Sequence, residues 1–220
     1  MTPPLRIAAL ISGGGRTLLN IADEIDRGRL DAEIVLVIAS RADAAGAEHA
    51  RARGFDVRVV PRERMEHLDD LIEQWLREKH VDLVCLCGYL RLLRITPWLE
   101  GRVMNIHPAL LPDFGGKRMY GRRVHQAVLD SGRTESGCTA HFVDAEYDRG
   151  PVILQRKVPV LPGDDAESLA ARVFEQECIA YPQAIRLFAE GRLRIIEGKV
   201  EVLGDGKESR RRSRSGSRSP

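Results

Sequence analysis

Asn105 and His107 stand two residues apart in the run RVMNIH, which is stopped by Pro108. Successive side chains of an extended chain alternate faces, so this spacing aims an amide and an imidazole to one side. An amide N–H can donate to a carbonyl oxygen as it becomes an oxyanion, and an imidazole can donate or move a proton. The pair suits transfer chemistry at a carbonyl carbon. A third group is needed to orient or charge the imidazole. HFVDAEYDRGPVIL offers Asp148, in a loop between two strand-like runs and flanked by Gly150 and Pro151. Asp144 and Glu146 compete for that role, and spacing does not choose among the three. A lone histidine at a strand end is more often a hydrogen-bonded structural residue. Here that reading must also explain an asparagine on the same face and a proline that ends the strand.

A second candidate is ISGGGRTLLN, between a first strand and a first helix. Glycines there let a ligand approach the backbone, and free N–H groups at a helix start favour phosphate. Gly14, Gly15, Arg16 and Thr17 supply a turn, a charge and a hydroxyl. A dinucleotide fingerprint needs a glycine where Leu18 stands, and no acidic residue ends the second strand. Ser40 and Arg41 at that strand end keep an NADP enzyme as a weaker reading. A Walker loop fails because no Gly-Lys-Ser/Thr follows, and a ligand-free tight turn competes with all of these. Ser12 lacks the surroundings of a nucleophile elbow, and no His/Cys cluster has metal-ligand spacing.

The elements that must position these groups alternate. LRIAALIS (5–12) is a continuous apolar run, as in a strand buried on both faces. A helix follows with Leu18, Ile21, Ile25 and Leu30, ending near Gly28; then come a strand at 32–40, an Ala-rich helix closed by Gly54, and a short strand at 56–60. Met65, Leu68, Leu71, Ile72 and Trp75 form an amphipathic helical stripe, and VDLVCLCGYL and RVMNIH read as strands. DFGGKRMYGRRVHQ (113–126) reads as a long basic loop. The second half has two strand-like runs with no room for a helix between them, pairing antiparallel at one edge. A long helix or two follows, with Asp165 as N-cap and Pro182 as a kink or break. The fold class is α/β, a Rossmann-like, mostly parallel sheet flanked by helices with an antiparallel edge in the C-terminal half.

The chain has 220 residues, 43% apolar and 30% charged, enough for one globular domain. No run approaches the roughly 18 apolar residues of a membrane span, and the N-terminus reads as a strand rather than a signal peptide. Cys85, Cys87, Cys138 and Cys178 read as reduced core cysteines of a cytoplasmic protein. The net charge of +2 misleads, because the tail from Gly206 carries Lys207 and five arginines against Glu208, leaving the body slightly acidic. That Arg/Ser-rich tail, 206–220, has no apolar residue and is expected to be disordered. It can touch RNA or another polyanion by charge alone, although a solvated extension is the simpler reading.

At this point the residues resemble a known family. NIHPALLP (105–112), preceded by GYLRLL (88–93) and the SGGG loop, is similar to the glycinamide ribonucleotide transformylases, folate-dependent formyltransferases of purine synthesis. HFVDAEYDRGPVILQRKVPV (141–160) and ARVFEQECIAYP (171–182) match them too. The resemblance implies a catalytic domain over 1–205 that moves a formyl group from 10-formyltetrahydrofolate to the amine of glycinamide ribonucleotide, without a metal. It implies Asn105, His107 and Asp148 as the catalytic set, with His107 held charged by Asp148. Gly14, Gly15, Arg16 and Thr17 would hold the ribose phosphate and Glu177 the ribose hydroxyls. Leu90, Arg91, Leu92 and Leu93 would line the folate pocket with Asn105, and Arg64 would contact the folate. The partners expected are small molecules, with no membrane, and the chain a monomer or homodimer. The alternatives are formyl transfer to another amine, or a non-catalytic folate- or RNA-binding protein on the same fold. Arg16-Thr17, where the family has Ser-Asn or Thr-Asn, and the basic loop set this chain apart.

Overall fold

Leu5–Ile11 forms β1, and its alternate residues are buried against different layers. Ile7, Ala9 and Ile11 join a cluster with Leu18, Ile21, Leu169 and Val173, whereas Ala8 and Leu10 join another with Leu68, Ile72 and Leu76. That is why the run is apolar without alternation: a strand with a helix layer on both faces has no wet side. The computed structural model describes residues 3–204. In chain order β1 is followed by α1 (Arg16–Asp26), β2 (Ala32–Ala39), α2 (Ala45–Ala52), β3 (Val57–Val59) and a 3-10 helix (Arg62–His67). Next come α3 (Leu68–Glu78), β4 (Leu83–Leu86), β5 (Val103–His107), α4 (Arg122–Asp130), β6 (Glu135–Phe142), β7 (Val152–Pro159) and α5 (Ala166–Ala189). A hairpin of β8 (Leu193–Ile196) and β9 (Lys199–Val202) ends the described residues.

The main sheet has the order β3-β2-β1-β4-β5-β6-β7. It is parallel from β3 to β5 and antiparallel from β5 through β6 to β7. The expected α/β architecture and antiparallel edge are both present. The tail 206–220 lies outside the described residues, and no helix among the described residues is long and apolar enough to cross a membrane.

Helix α5 runs unbroken through Pro182, where a kink or break was expected. A proline has no N–H for the carbonyl four residues back, here that of Cys178. The Asn20 side chain on α1 donates to that carbonyl at 3.1 Å, so the freed acceptor is satisfied from a neighbouring helix. Asp165 caps the start, accepting from the Glu167 and Ser168 N–H groups while Ser168 returns a bond to the Asp165 backbone. The fully buried Tyr181 hydroxyl shares its hydrogen between the Met104 carbonyl at 2.8 Å and the Leu86 carbonyl at 3.2 Å. This ties the helix to β4 and β5.

Three local expectations differ. The stripe at 65–75 splits, since Met65 lies in the 3-10 helix and Leu76 replaces Leu71 and Trp75 on the buried face of α3. The basic loop ends early, because Arg122 and Arg123 open α4, whose Val124 and Val128 are buried. The C-terminal helix stops at Ala189 and gives way to the hairpin, turned by Glu197 and Gly198 at φ 49° and 73°.

Candidate active site

Asn105 and His107 do share a face, on the strand where the sheet changes from parallel to antiparallel. His107 is 3% exposed. Its Nε2 lies 2.8 Å from the Phe114 carbonyl oxygen and its Nδ1 3.4 Å from Asp148 Oδ2. Asp148 Oδ2 also accepts the Gly116 N–H at 2.8 Å, and Oδ1 faces Asn105 Nδ2 at 3.4 Å. His141 completes the group, with Nε2 3.2 Å from Asn105 Nδ2 and 3.6 Å from Asp148 Oδ1. Of the three competing carboxylates, only Asp148 is bonded into this cluster. Asp144 instead accepts the Glu146 N–H at 2.9 Å, closing its own turn.

Glycines make the cluster sterically possible. A Cβ on Gly115 would meet Leu111 Cδ2 at 2.5 Å and the Asp148 Cβ at 3.1 Å. The bare backbone there lets residues 114–116 lie against Asp148, supplying one carbonyl to His107 and one N–H to the carboxylate. Asp148 itself has φ 57°, a left-handed conformation that Asp enters more readily than most residues.

These side chains line a cavity of about 660 Å³ whose wall also includes Arg16, Thr17 and Glu177. Arg16 and Thr17 open α1 directly after Gly15, which has φ 74° and no side-chain cap. The first N–H groups of the helix are therefore not taken by a capping side chain, as an anion site requires. The Arg16 guanidinium lies 3.8 Å over the Phe174 ring, a stacked cation. Along another wall Leu90 and Leu92 are 43% and 42% exposed while Leu93 is buried. Exposed leucines beside a polar cluster suit a flat ligand with an apolar face.

The formyl transferase family model matches residues 5–185 of the chain. The chain belongs to the formyl transferase family. It is 39% identical over 204 residues to the chloroplastic phosphoribosylglycinamide formyltransferase of Arabidopsis thaliana, which covers 90% of this chain and 70% of that protein. It is 40% identical over 204 residues to the phosphoribosylglycinamide formyltransferase of Haemophilus influenzae, covering 90% of this chain and 94% of that one. The crystal structure of glycinamide ribonucleotide transformylase 1 from Symbiobacterium toebii superposes with a TM-score of 0.85 at 42% identity, covering 93% of this chain and 96% of that one.

The electrostatics of this formyl transferase refine the expected charge state. Burial pushes the His107 imidazole down, and Asp148 and the Phe114 carbonyl only partly pull it back, so it stays below its ordinary 6.5. Desolvation thus works against the charge that the resemblance gives His107, while the Asp148 carboxylate at Nδ1 and the Phe114 carbonyl at Nε2 work for it. Burial also pushes the Asp148 carboxyl up, but the flanking imidazoles and the Gly116 N–H more than offset this and leave it below 3.8. Asp148 is ionised and ready to stabilise a proton that reaches Nδ1.

Most residues expected in the site meet at the cavity: Arg16, Thr17, Leu90, Arg91, Leu92, Leu93, Asn105, His107, Asp148 and Glu177. Three do not. Gly14 and Gly15 are not on the cavity wall: Gly14 is exposed, and Gly15 is buried, packed on Gly46 so closely that its Cβ would be 3.0 Å from the Gly46 Cα. Arg64 is exposed on the 3-10 helix, off the cavity wall. The NADP reading fails because the Ser40 hydroxyl is buried against Ser12 Oγ at 2.7 Å and Arg41 is bonded to Asp43 at 2.8 Å. Ser12 Oγ instead accepts the Leu90 N–H at 3.0 Å, anchoring the leucine wall to the end of β1. Sequence reasoning missed His141, His125 and Phe174. The antiparallel register that puts His141 opposite Asn105 is not written in local periodicity. His125 sits on α4, inside what read as a loop, and burial pushes it down to about 4.

Proposed function

We propose that this chain transfers a formyl group from 10-formyltetrahydrofolate to the primary amine of glycinamide ribonucleotide, and that Asn105, His107 and Asp148 carry the chemistry. One observation supports this most strongly: a carbonyl-activating cluster and a helix-start anion site with Arg16 and Thr17 share one cavity. A substrate with a phosphate at one end and an amine at the other spans such a cavity. The apolar wall of Leu90, Leu92 and Leu93 takes the folate ring, and Glu177 faces the ribose hydroxyls.

In this reading the amine nitrogen attacks the formyl carbon, and the carbonyl electron pair moves onto oxygen. Asn105 donates an N–H to that oxyanion. The attacking nitrogen loses its proton toward His107 Nδ1, where Asp148 stabilises the resulting imidazolium. Collapse re-forms the C=O bond and breaks the bond to the folate nitrogen. That nitrogen receives the proton given up by the His107 imidazolium, leaving tetrahydrofolate, the formylated amine and His107 as it began. We infer a cytoplasmic setting, supported by four free cysteines, which suit a reducing compartment.

The test is turnover of glycinamide ribonucleotide with a 10-formyl folate, followed by absorbance of the released folate. The native protein is expected to turn over, and His107→Ala to lose on the order of 1,000-fold in kcat. Donor binding without transfer to this acceptor would overturn the substrate assignment. Full activity in the variant would overturn the role given to His107.

A further inference from the structure

Asn105 and His141 lie directly opposite each other across the antiparallel pair of β5 and β6, so their side chains share a face and touch. His141 is 1% exposed, and the chemistry above leaves it unused. Its Nδ1 sits 2.8 Å from the Phe142 carbonyl oxygen. A carbonyl oxygen only accepts, so Nδ1 carries the proton. In that tautomer Nε2 is bare and accepts from Asn105 Nδ2 at 3.2 Å.

That contact decides which way the amide points. The reversed amide would set its oxygen against the Nε2 lone pair and the Asp148 carboxylate, which is 3.4 Å from the present Nδ2. Both contacts would be repulsive. Asn105 Nδ2 has two hydrogens. One is held by His141. The other faces Asp148 Oδ1 at a length that a better-placed acceptor displaces. His141 Nε2 also lies 3.6 Å from Asp148 Oδ1, a longer contact than the 3.2 Å one it makes with Asn105 Nδ2.

We propose that His141 is a positioning residue for formyl transfer: it accepts one Asn105 N–H and so delivers the other to the oxyanion formed at the formyl carbon. The inference rests on the carbonyl chemistry proposed for Asn105. It accounts for a histidine, since this position needs a donor toward Phe142 on one side and an acceptor toward Asn105 on the other. A neutral imidazole provides both along one rigid ring.

Two substitutions separate this role from a structural one. In His141→Asn the shorter amide keeps a donor to the Phe142 carbonyl but leaves Asn105 without its acceptor. In His141→Gln an amide oxygen lies near the former Nε2, restoring the acceptor. The Asn variant is expected to lose on the order of 100-fold in kcat, as when an oxyanion donor is removed, with KM for both substrates within about twofold of native. The Gln variant is expected to recover to within about tenfold of native. Native kcat in the Asn variant would overturn the proposal, as would equal losses in both, with or without a drop in melting temperature. The same variants are compared in slow hydrolysis of the formyl folate by water, which passes through the same oxyanion. If the native protein fails to formylate glycinamide ribonucleotide yet the hydrolytic ratio of Gln to Asn variants holds, the acceptor is wrong and His141 stands. If transfer proceeds and both ratios are near one, His141 is only structural.

Discussion

Glu177 is a carboxylic acid on a cavity wall where protein surrounds it on its remaining sides, and burial raises it from 4.5 to about 7 despite the nearby Arg16 charge. Between these values the folded chain keeps the proton that the unfolded chain has lost. The folded state binds more protons there, so stability falls as pH rises. The gap corresponds to about 3 kcal/mol at about 1.4 kcal/mol per pH unit, reached once the pH passes the folded value. At pH 5 the same integration leaves less than about 1 kcal/mol. Glu177→Gln keeps the shape and removes the titration. It is therefore expected to match the native chain closely at pH 5 and to exceed it by up to about 3 kcal/mol at pH 8.5. Urea unfolding of both proteins at the two pH values measures this, because every other titrating group cancels in the difference. A variant less stable than native at pH 8.5, or a difference independent of pH, would refute the reasoning. The reading of Glu177 as the ribose contact adds a kinetic counterpart: the same variant should show a raised KM for the ribonucleotide with kcat little changed.

Gly46→Ala would place a Cβ 2.8 Å from the Gly13 oxygen and 2.9 Å from the Gly15 nitrogen, all rigid backbone. The glycine loop must shift, so KM for the phosphate-bearing substrate should rise about tenfold or more while folate binding, measured by fluorescence, stays near native. Asn20→Ala removes the donor to the Cys178 carbonyl and should cost about 1 kcal/mol in urea unfolding. Adding Pro182→Ala returns a backbone N–H to that carbonyl, so the double variant should regain part of the loss. Strictly additive losses would refute this account of the unbroken helix.

The sequence was most legible where a single local signal met a single structural demand. An apolar run without alternation meant a strand covered on both faces, and β1 is one. Asn105 and His107 two residues apart meant a shared face, and they have it. What stayed hidden was set by partners distant along the chain. Asp148 could not be chosen over Asp144 and Glu146, because the choice depends on the Gly116 N–H and on an Asp144 side chain already used in its own turn. The downward push on the His107 imidazole reflects desolvation by the whole fold. Pro182 looked like a helix breaker because local rules do not see Asn20, more than 150 residues earlier. Arg122 and Arg123 read as loop because charge masked the buried Val124 and Val128 of α4.

The hydroxyl of Tyr181 has a consequence for how this enzyme can change over evolutionary time. Tyr181 lies four residues, or about 6 Å of helix rise, beyond Glu177, and it is bonded to the carbonyl of Met104, next to Asn105 in the chain. In the proposed reading, the spacing between the ribose side of the cavity and the reacting carbon is thereby set by one rigid helical turn rather than by a loop. Loops accept insertions readily, but a helix turn cannot be lengthened by one residue without rotating every later side chain by about 100°. Acceptors of a different length are thus out of reach of small sequence changes in this scaffold. In the same reading, new specificity is more accessible through substitutions at the start of α1, where Arg16 and Thr17 line the cavity.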